Sequence, residues 1–224
     1  MPAVSAVGLY RRHGPRWALL DVGFEVPQGA LTMVTGRNGS GKSTLLRVLA
    51  TALRPDRGTV LINGHDVRAA RDNVRGCIAL LGHRTHLYEP LTALENLAVR
   101  ARFLGRSARR EDLIALLDQV GLAARAGDAV QTFSAGMRQR LALASVLQRA
   151  ARVVLLDEPY GHLDPECFVL VDRLLASMRA QGCTVLMATH LIDRGRALCD
   201  RALVLDEGRL KFSGPSAQLP VQGP

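Results

Sequence analysis

Nine residues, Gly36-Arg37-Asn38-Gly39-Ser40-Gly41-Lys42-Ser43-Thr44, constrain the fold of this chain more than any others. They read G-x-x-x-x-G-K-S, a string with meaning only between a strand and a helix. That context is present. Ala30-Leu31-Thr32-Met33-Val34-Thr35 is apolar and β-branched, as in a buried strand, and Leu45-Leu46-Arg47-Val48-Leu49 has helical spacing. Gly36, Gly39 and Gly41 let the backbone curl tightly. The amides from Asn38 to Thr44 are then expected to form an anion cradle, strengthened by the positive end of a helix starting near Lys42. In such a loop Lys42 reaches the β- and γ-phosphates, and the Ser43 hydroxyl binds Mg²⁺.

Composition sharpens this reading. Of 29 Lys and Arg residues only two are Lys, namely Lys42 and Lys211. A chain that uses Arg almost everywhere else places a compact point charge at the phosphate-contacting position. The length of 224 residues suits one large α/β domain, or one with an inserted subdomain. The net charge of +9 is spread along the chain with no basic block, and aromatics are 4%. No nucleic-acid partner is therefore expected, since a stacking platform is missing. Cys77, Cys167, Cys183 and Cys199 form no C-x-x-C pair, which fits a reducing compartment. Met1-Pro2-Ala3-Val4-Ser5 lacks the basic-then-apolar design of a secretion signal, and no run of about 18 apolar residues exists. Any membrane role is expected to come through a partner.

Residues 4–35 read as strands, with Tyr10, His13 and Trp17 as alternative rings for stacking on a base. Pro55-Asp56-Arg57-Gly58 reads as a turn, 59–62 as a strand, Asn63-Gly64 as a hairpin turn and 78–81 as a strand ending at Gly82-His83. From 84 to about 151 the pattern turns helical. Thr92 with Glu95 is a capping box, a second helix around 113–120 stops at Gly121, and Ser134 reads as the N-cap of a third. Val153-Val154-Leu155-Leu156-Asp157-Glu158-Pro159 is an apolar run closed by two acids, as in a central parallel strand buried on both faces. At the strand's C-terminal end, Asp157 is expected to hold Mg²⁺ through water, and Glu158 to polarise the attacking water. A helix over 166–179 and a strand over 184–189 follow. The strand ends at His190, on the side that carries Glu158, where it is able to bond the γ-phosphate or the attacking water. Residues 202–210 read as strand, turn and strand.

These residues, in this order, resemble the ATP-binding subunit of an ABC transporter from about residue 4 to 215. The loop at 36–44, Leu155-Leu156-Asp157-Glu158-Pro159, Ser134-Ala135-Gly136-Met137, Leu163-Asp164 and His190 match the family's Walker A, Walker B, signature, D-loop and switch motifs. The resemblance implies a P-loop NTPase with a RecA-like core of mostly parallel sheet, an N-terminal antiparallel β subdomain and an inserted α-helical subdomain. The core would comprise 1–83 and 152–224, and the insert 84–151. It implies ATP and Mg²⁺ as ligands, and catalytic roles for Lys42, Glu158 and His190. It also implies a head-to-tail homodimer in which Ser134, Ala135, Gly136, Met137 and Asp164 of one copy approach ATP held by residues 36–44 of the other. The helical insert would dock on integral membrane permease subunits, at the cytoplasmic face of the membrane.

Three positions depart from the family's pattern. Ala135 and Met137 stand where Gly and Gln are common. His83 falls at the Q-loop glutamine, where an imidazole is still able to bind metal or water. His13 falls at the adenine-stacking position. His83, with Leu91-Thr92-Ala93-Leu94-Glu95-Asn96-Leu97 and the short chain, is similar to the haem exporter ATPase of cytochrome c maturation. An exporter of the drug or polysaccharide kind is the alternative, and a soluble protein of the same superfamily acting on ribosomes or DNA a third reading.

Overall fold

A computed structural model describes residues 1–83 and 85–219. In chain order it has β1 (Val4–His13), β2 (Arg16–Val26), β3 (Leu31–Thr35), α1 (Lys42–Leu49), β4 (Arg57–Ile62), β5 (His65–Asp66), α2 (Arg71–Cys77) and β6 (Ile78–Leu81). Then come α3 (Ala93–Phe103), α4 (Arg110–Gln119), α5 (Ala135–Gln148), β7 (Val153–Asp157), α6 (Phe168–Ala180), β8 (Thr184–Ala188), α7 (Ile192–Leu198), β9 (Arg201–Asp206) and β10 (Arg209–Pro215). Arg84 and residues 220–224 lie outside the described residues.

Two sheets organise the chain. A four-stranded antiparallel sheet runs β2-β1-β4-β5. A six-stranded sheet runs β10-β9-β3-β8-β7-β6, parallel from β9 to β6, with β10 antiparallel on the edge. The P-loop NTPase fold, with an antiparallel β part and a helical region, is thus present.

The central strands β3, β7 and β8 are buried at every position and apolar at most of them, because both faces are covered. On β7, Val153 and Leu155 pack with Leu45, Leu46 and Leu49 of α1, between the two sheets. Val154 and Leu156 face the opposite way, towards Leu97, Leu117 and Leu141 of α3, α4 and α5. The same alternation recurs on β8, where Leu186 and Ala188 join the first core and Val185 and Met187 the second. A strand alternating apolar and polar residues would leave one of these cores with buried, unpaired groups.

The structure changes the sequence reading in four places. Arg57 and Gly58 belong to β4 rather than to a turn. Gly58 has φ +87°, and a Cβ there would lie 2.1 Å from the Gly8 carbonyl oxygen, so the two backbones meet at a register shift in β1. The helix after Asp164 opens as a 3₁₀ turn, Pro165–Cys167, before α6. Helices α2 and α7 carry no apolar period: only Val74 is buried in the first and only Gly195 in the second. Gly195 is glycine for a packing reason, since a Cβ would sit 2.9 Å from Met33 Sδ.

Candidate functional site

Strand β3 delivers the chain to the C-terminal edge of the parallel sheet, where open α/β sheets hold ligands. The loop 36–41 turns there on two glycines that nothing else replaces. Gly36 has φ +141°, and a Cβ would lie 1.9 Å from the Leu205 carbonyl oxygen; at Gly41, φ +109°, it would lie 2.4 Å from that of Ala18. Gly39, φ +80°, is the opposite case, with nothing within 4 Å of its Cβ position. The outer edges of the loop are thus pressed against β9 and β2, while its crown stays open.

Helix α1 starts with no side-chain cap and no acid in its first turn. Its first backward bond runs from Leu45 N–H to the Gly41 carbonyl at 2.8 Å, which leaves the preceding helical amides facing out of the helix. One amide of the expected cradle is already used, since Ser40 N–H donates to the Arg37 carbonyl at 3.1 Å. Ser40 Oγ is buried without a partner among the described residues. Lys42 is buried, and its amine donates to the Gly36 and Arg37 carbonyls at 2.7 and 3.1 Å. The lysine therefore arches over the crown of its own loop. An open crown, outward amides, an orphan hydroxyl and a cation fit a polyphosphate.

Two oxygen-bearing side chains expected at a metal also meet. Ser43 Oγ donates to Asp157 Oδ1 at 3.0 Å, joining α1 to the end of β7. A hydroxyl and a carboxylate at that separation are a hard oxygen set suited to Mg²⁺. His83, after β6 on the same sheet edge, is exposed and makes no hydrogen bond among the described residues.

Glu158 follows Asp157 with φ +51°, in the left-handed region that costs a non-glycine residue energy. Its N–H donates to the Ala188 carbonyl at 3.0 Å, and its Oε2 lies 2.9 Å from Nδ1 of His190. The acid and the histidine, 32 residues apart, are thus one pair at the ends of neighbouring parallel strands. His13 Nε2 lies 3.3 Å from Thr44 Oγ1. Tyr10 instead packs edge-on to Trp17, with ring centroids 5.7 Å apart. Of the three candidate rings, His13 is the one that touches the phosphate loop.

The segment 134–137 starts α5. Ser134 accepts from Met137 N–H at 3.2 Å, and the first turn carries no acid. A Cβ on Gly136 would sit 2.9 Å from the His162 carbonyl oxygen, so this helix start packs against the turn leading to Asp164.

Four further residues tie these pieces together, and no local pattern in the sequence marks them. Gln139 on α5 is buried and donates to the Glu158 and Pro159 carbonyls at 3.3 and 3.4 Å. Tyr160 donates its hydroxyl to Asp172 Oδ1 at 2.7 Å, and Arg194 pairs with Asp172 Oδ2. Arg194 also stacks over Tyr160 and Phe168, 5.7 and 5.1 Å from their centroids. Burial, and then the bond to Asp172, pushes the Tyr160 hydroxyl far above its ordinary pKa, so it remains a donor at every physiological pH. The turn that carries Glu158 is thereby fixed to α5 on one side and to α7, the helix after His190, on the other.

Comparisons with known proteins agree with this geometry. The family model described as ABC transporter matches residues 19–161. A daunorubicin/doxorubicin resistance ATP-binding protein of Streptomyces peucetius is 37% identical over 97% of this chain and 66% of its own length. A phosphonates import ATP-binding protein of Stutzerimonas stutzeri is 36% identical over 97% of this chain and 86% of its own length. A Nod factor export ATP-binding protein of Ralstonia nicotianae is 32% identical over 97% of this chain and 68% of its own length. The chain therefore spans about two thirds of the length of the first and third of these relatives. A solved ATP-binding subunit of an ABC transporter superposes with a TM-score of 0.87 at 28% identity, covering 95% of this chain and 90% of that one. The ATP-binding cassette MJ0796, in a dimeric post-hydrolysis state with ADP and Pi, gives 0.87 at 26% identity, covering 95% and 98%.

Proposed function

The chain belongs to the ABC transporter family as an ATP-binding domain, and from that premise we propose that it is the ATP-hydrolysing subunit of an exporter. The Glu158–His190 pair beside the joined Ser43 and Asp157 carries this reading, because a water-activating acid and a metal-binding oxygen pair stand on one sheet edge. Glu158 accepts a proton from the attacking water while His190 orients its carboxylate. Lys42 leaves its two loop carbonyls for the phosphates, and the amides at the start of α1 receive the negative charge. Ser43 and Asp157 would hold Mg²⁺, which when bound would supply charge neutralisation at the phosphates. His13 supplies a face for the adenine, and His83 a nitrogen towards metal or water.

In the same reading the working unit is a head-to-tail homodimer. Ser134, Ala135, Gly136, Met137 and Asp164 of one copy close the nucleotide site of the other. ATP favours the closed state because it touches both copies, and cleavage releases them. The dimeric state of MJ0796 with ADP and Pi supports this arrangement. No described helix is long and apolar enough to cross a membrane. In this reading the subunit sits at the cytoplasmic face on integral permease subunits, with residues 84–151 as the docking subdomain and 1–83 with 152–224 as the nucleotide-binding core.

The relatives named for drug resistance and Nod factor export support export of a small molecule ahead of the haem-specific reading. Haem export, or release of a haem chaperone, in cytochrome c biogenesis stands second. It rests on His83 and the segment Leu91–Leu97. Deleting the gene separates the two. Loss of covalent c-type cytochromes with b-type retained establishes the haem role; normal c-type levels with raised drug sensitivity establish the first reading. ATPase assays on the purified protein test the shared premise, with Glu158→Gln expected to lower turnover by at least about 10²-fold. Parental turnover in that variant removes the acid from its role.

A further inference from the structure

Helix α7 is seven residues long, has no side-chain cap and buries Gly195 alone. Leu191, Ile192 and Leu198 are only partly buried. A helix that short is marginal on its own, and this one has little apolar face to hold it. Yet His190 leads into it, so the 2.9 Å contact of His190 Nδ1 with Glu158 Oε2 depends on where α7 begins. Among the described residues that contact is the ring's one hydrogen bond, and the ring is exposed. Towards the other end of α7, Arg196 donates to the Leu219 carbonyl at 2.9 Å and fixes the C-terminal side. Something other than apolar packing must fix the side next to His190.

Arg194 is placed to do so. Its guanidinium pairs with Asp172 Oδ2 on α6 and lies over the rings of Phe168 and Tyr160, which meet edge-on with centroids 5.2 Å apart. The other oxygen of the same carboxylate, Oδ1, accepts from the Tyr160 hydroxyl at 2.7 Å. One carboxylate therefore holds both the turn that carries Glu158 and the helix that follows His190. The paired side chains are 33% and 24% exposed, so the pair is partly shielded from water, where a hydrogen-bonded and stacked guanidinium holds better than an exposed one. An open groove of about 830 Å³ between α6 and α7 is lined by Phe168, Asp172, His190 and Arg194 among others. The two helices thus meet through this cluster rather than through a closed apolar seam.

We propose that Arg194 and Asp172 are positioning residues of the hydrolytic step, holding the His190 ring and the Glu158 carboxylate in one frame from a single point on α6. The proposal rests on the ATPase reading and deepens it, because each residue acts through the catalytic pair rather than on the phosphates. A catalytic group displaced by about 1 Å costs on the order of 10²-fold in rate. Loop 36–44 makes no hydrogen bond with this cluster among the described residues. Loss of Arg194 is therefore expected to slow cleavage and to leave nucleotide affinity alone.

The test is a double-mutant cycle on ATP turnover by the full chain at saturating Mg-ATP. Arg194→Ala is expected to lower turnover about ten-fold, and His190→Ala about 10²-fold. The double substitution is expected to stay within about two-fold of His190→Ala, because Arg194 then has no ring left to position. ATP affinity by calorimetry in the Glu158→Gln background is expected to change by less than about two-fold when Arg194→Ala is added. Tyr160→Phe keeps the ring beside Arg194 and removes only the bond to Asp172. It is expected to lower turnover about three-fold at unchanged affinity, and it decides alone if Arg194→Ala does not fold. Losses that multiply in the double substitution, or turnover and affinity that fall together, overturn the proposal, since the cluster then only supports the fold. Parental turnover in Arg194→Ala and Tyr160→Phe overturns it too, and leaves the ATPase reading intact. Parental turnover in Glu158→Gln and His190→Ala overturns both readings together.

Discussion

The first turns of α1 and α3 face the same problem and solve it in opposite ways. Every helix begins with amides that lack intrahelical partners. At α3 the chain satisfies them itself. Thr92 Oγ1 accepts from Glu95 N–H at 3.1 Å, and the Glu95 carboxylate accepts from Thr92 N–H at 2.8 Å. That bond, with one from the Thr92 hydroxyl, holds the Glu95 carboxyl below its usual range. At α1 the chain supplies nothing: the N-cap is Gly41, and the first turn has no acid. The start of α5 lies between the two, with a serine cap and no acid. The start of α3 completes itself and is architecture, whereas that of α1 is left open beside the Lys42 amine and the unpartnered Ser40 hydroxyl, a combination that suits an anion from outside.

Substitutions break or sharpen this contrast. Lys42→Ala is expected to have the largest effect, removing ATP turnover by more than about 10²-fold in a phosphate-release assay while leaving the circular dichroism spectrum intact. The glycines of the loop should then separate into two kinds. Gly36→Ala forces a methyl into the Leu205 carbonyl, and chemical denaturation is expected to show a loss of at least ~3 kcal/mol. Gly39→Ala meets no neighbour, so its cost to the fold is backbone strain of about 1 kcal/mol. Its methyl enters the crown, however, and ATP affinity measured by calorimetry is expected to fall more than for any change at α3.

Smaller effects test the capped helices. Ser134→Ala and Thr92→Ala each remove a cap, worth ~1 kcal/mol in thermal or chemical unfolding. Only Ser134→Ala is expected to lower turnover as well, by about ten-fold, because Ser134 is proposed to face the nucleotide of the other copy. The contribution of Glu95 has a defined pH direction. Its folded pKa is depressed, so the stabilisation is complete above the ordinary glutamate range and is lost as pH falls through the lowered folded value. Thr92→Ala should flatten that acid limb of the stability curve without moving the pH profile of ATP turnover.

The same contrast accounts for what could be read from residues alone. Local signals carried the phosphate loop, the Thr92 box and the Ser134 cap, because each is complete within a few residues. The double buried faces of β3, β7 and β8 were legible as largely apolar, β-branched runs. Helices α2 and α7 were not, because a helix that buries a single residue leaves no period to read. The network of Gln139, Tyr160, Asp172 and Arg194 was equally silent, since its bonds join residues 12 to 22 apart through the turn after β7.

The mass of the Glu158→Gln protein with and without saturating Mg-ATP, measured by light scattering during gel filtration, tests the shared nucleotide site most directly. A monomer is expected without nucleotide and a particle of twice that mass with it, reverting to monomer when Lys42→Ala is added. A Glu158→Gln protein that binds Mg-ATP and stays monomeric contradicts the shared nucleotide site.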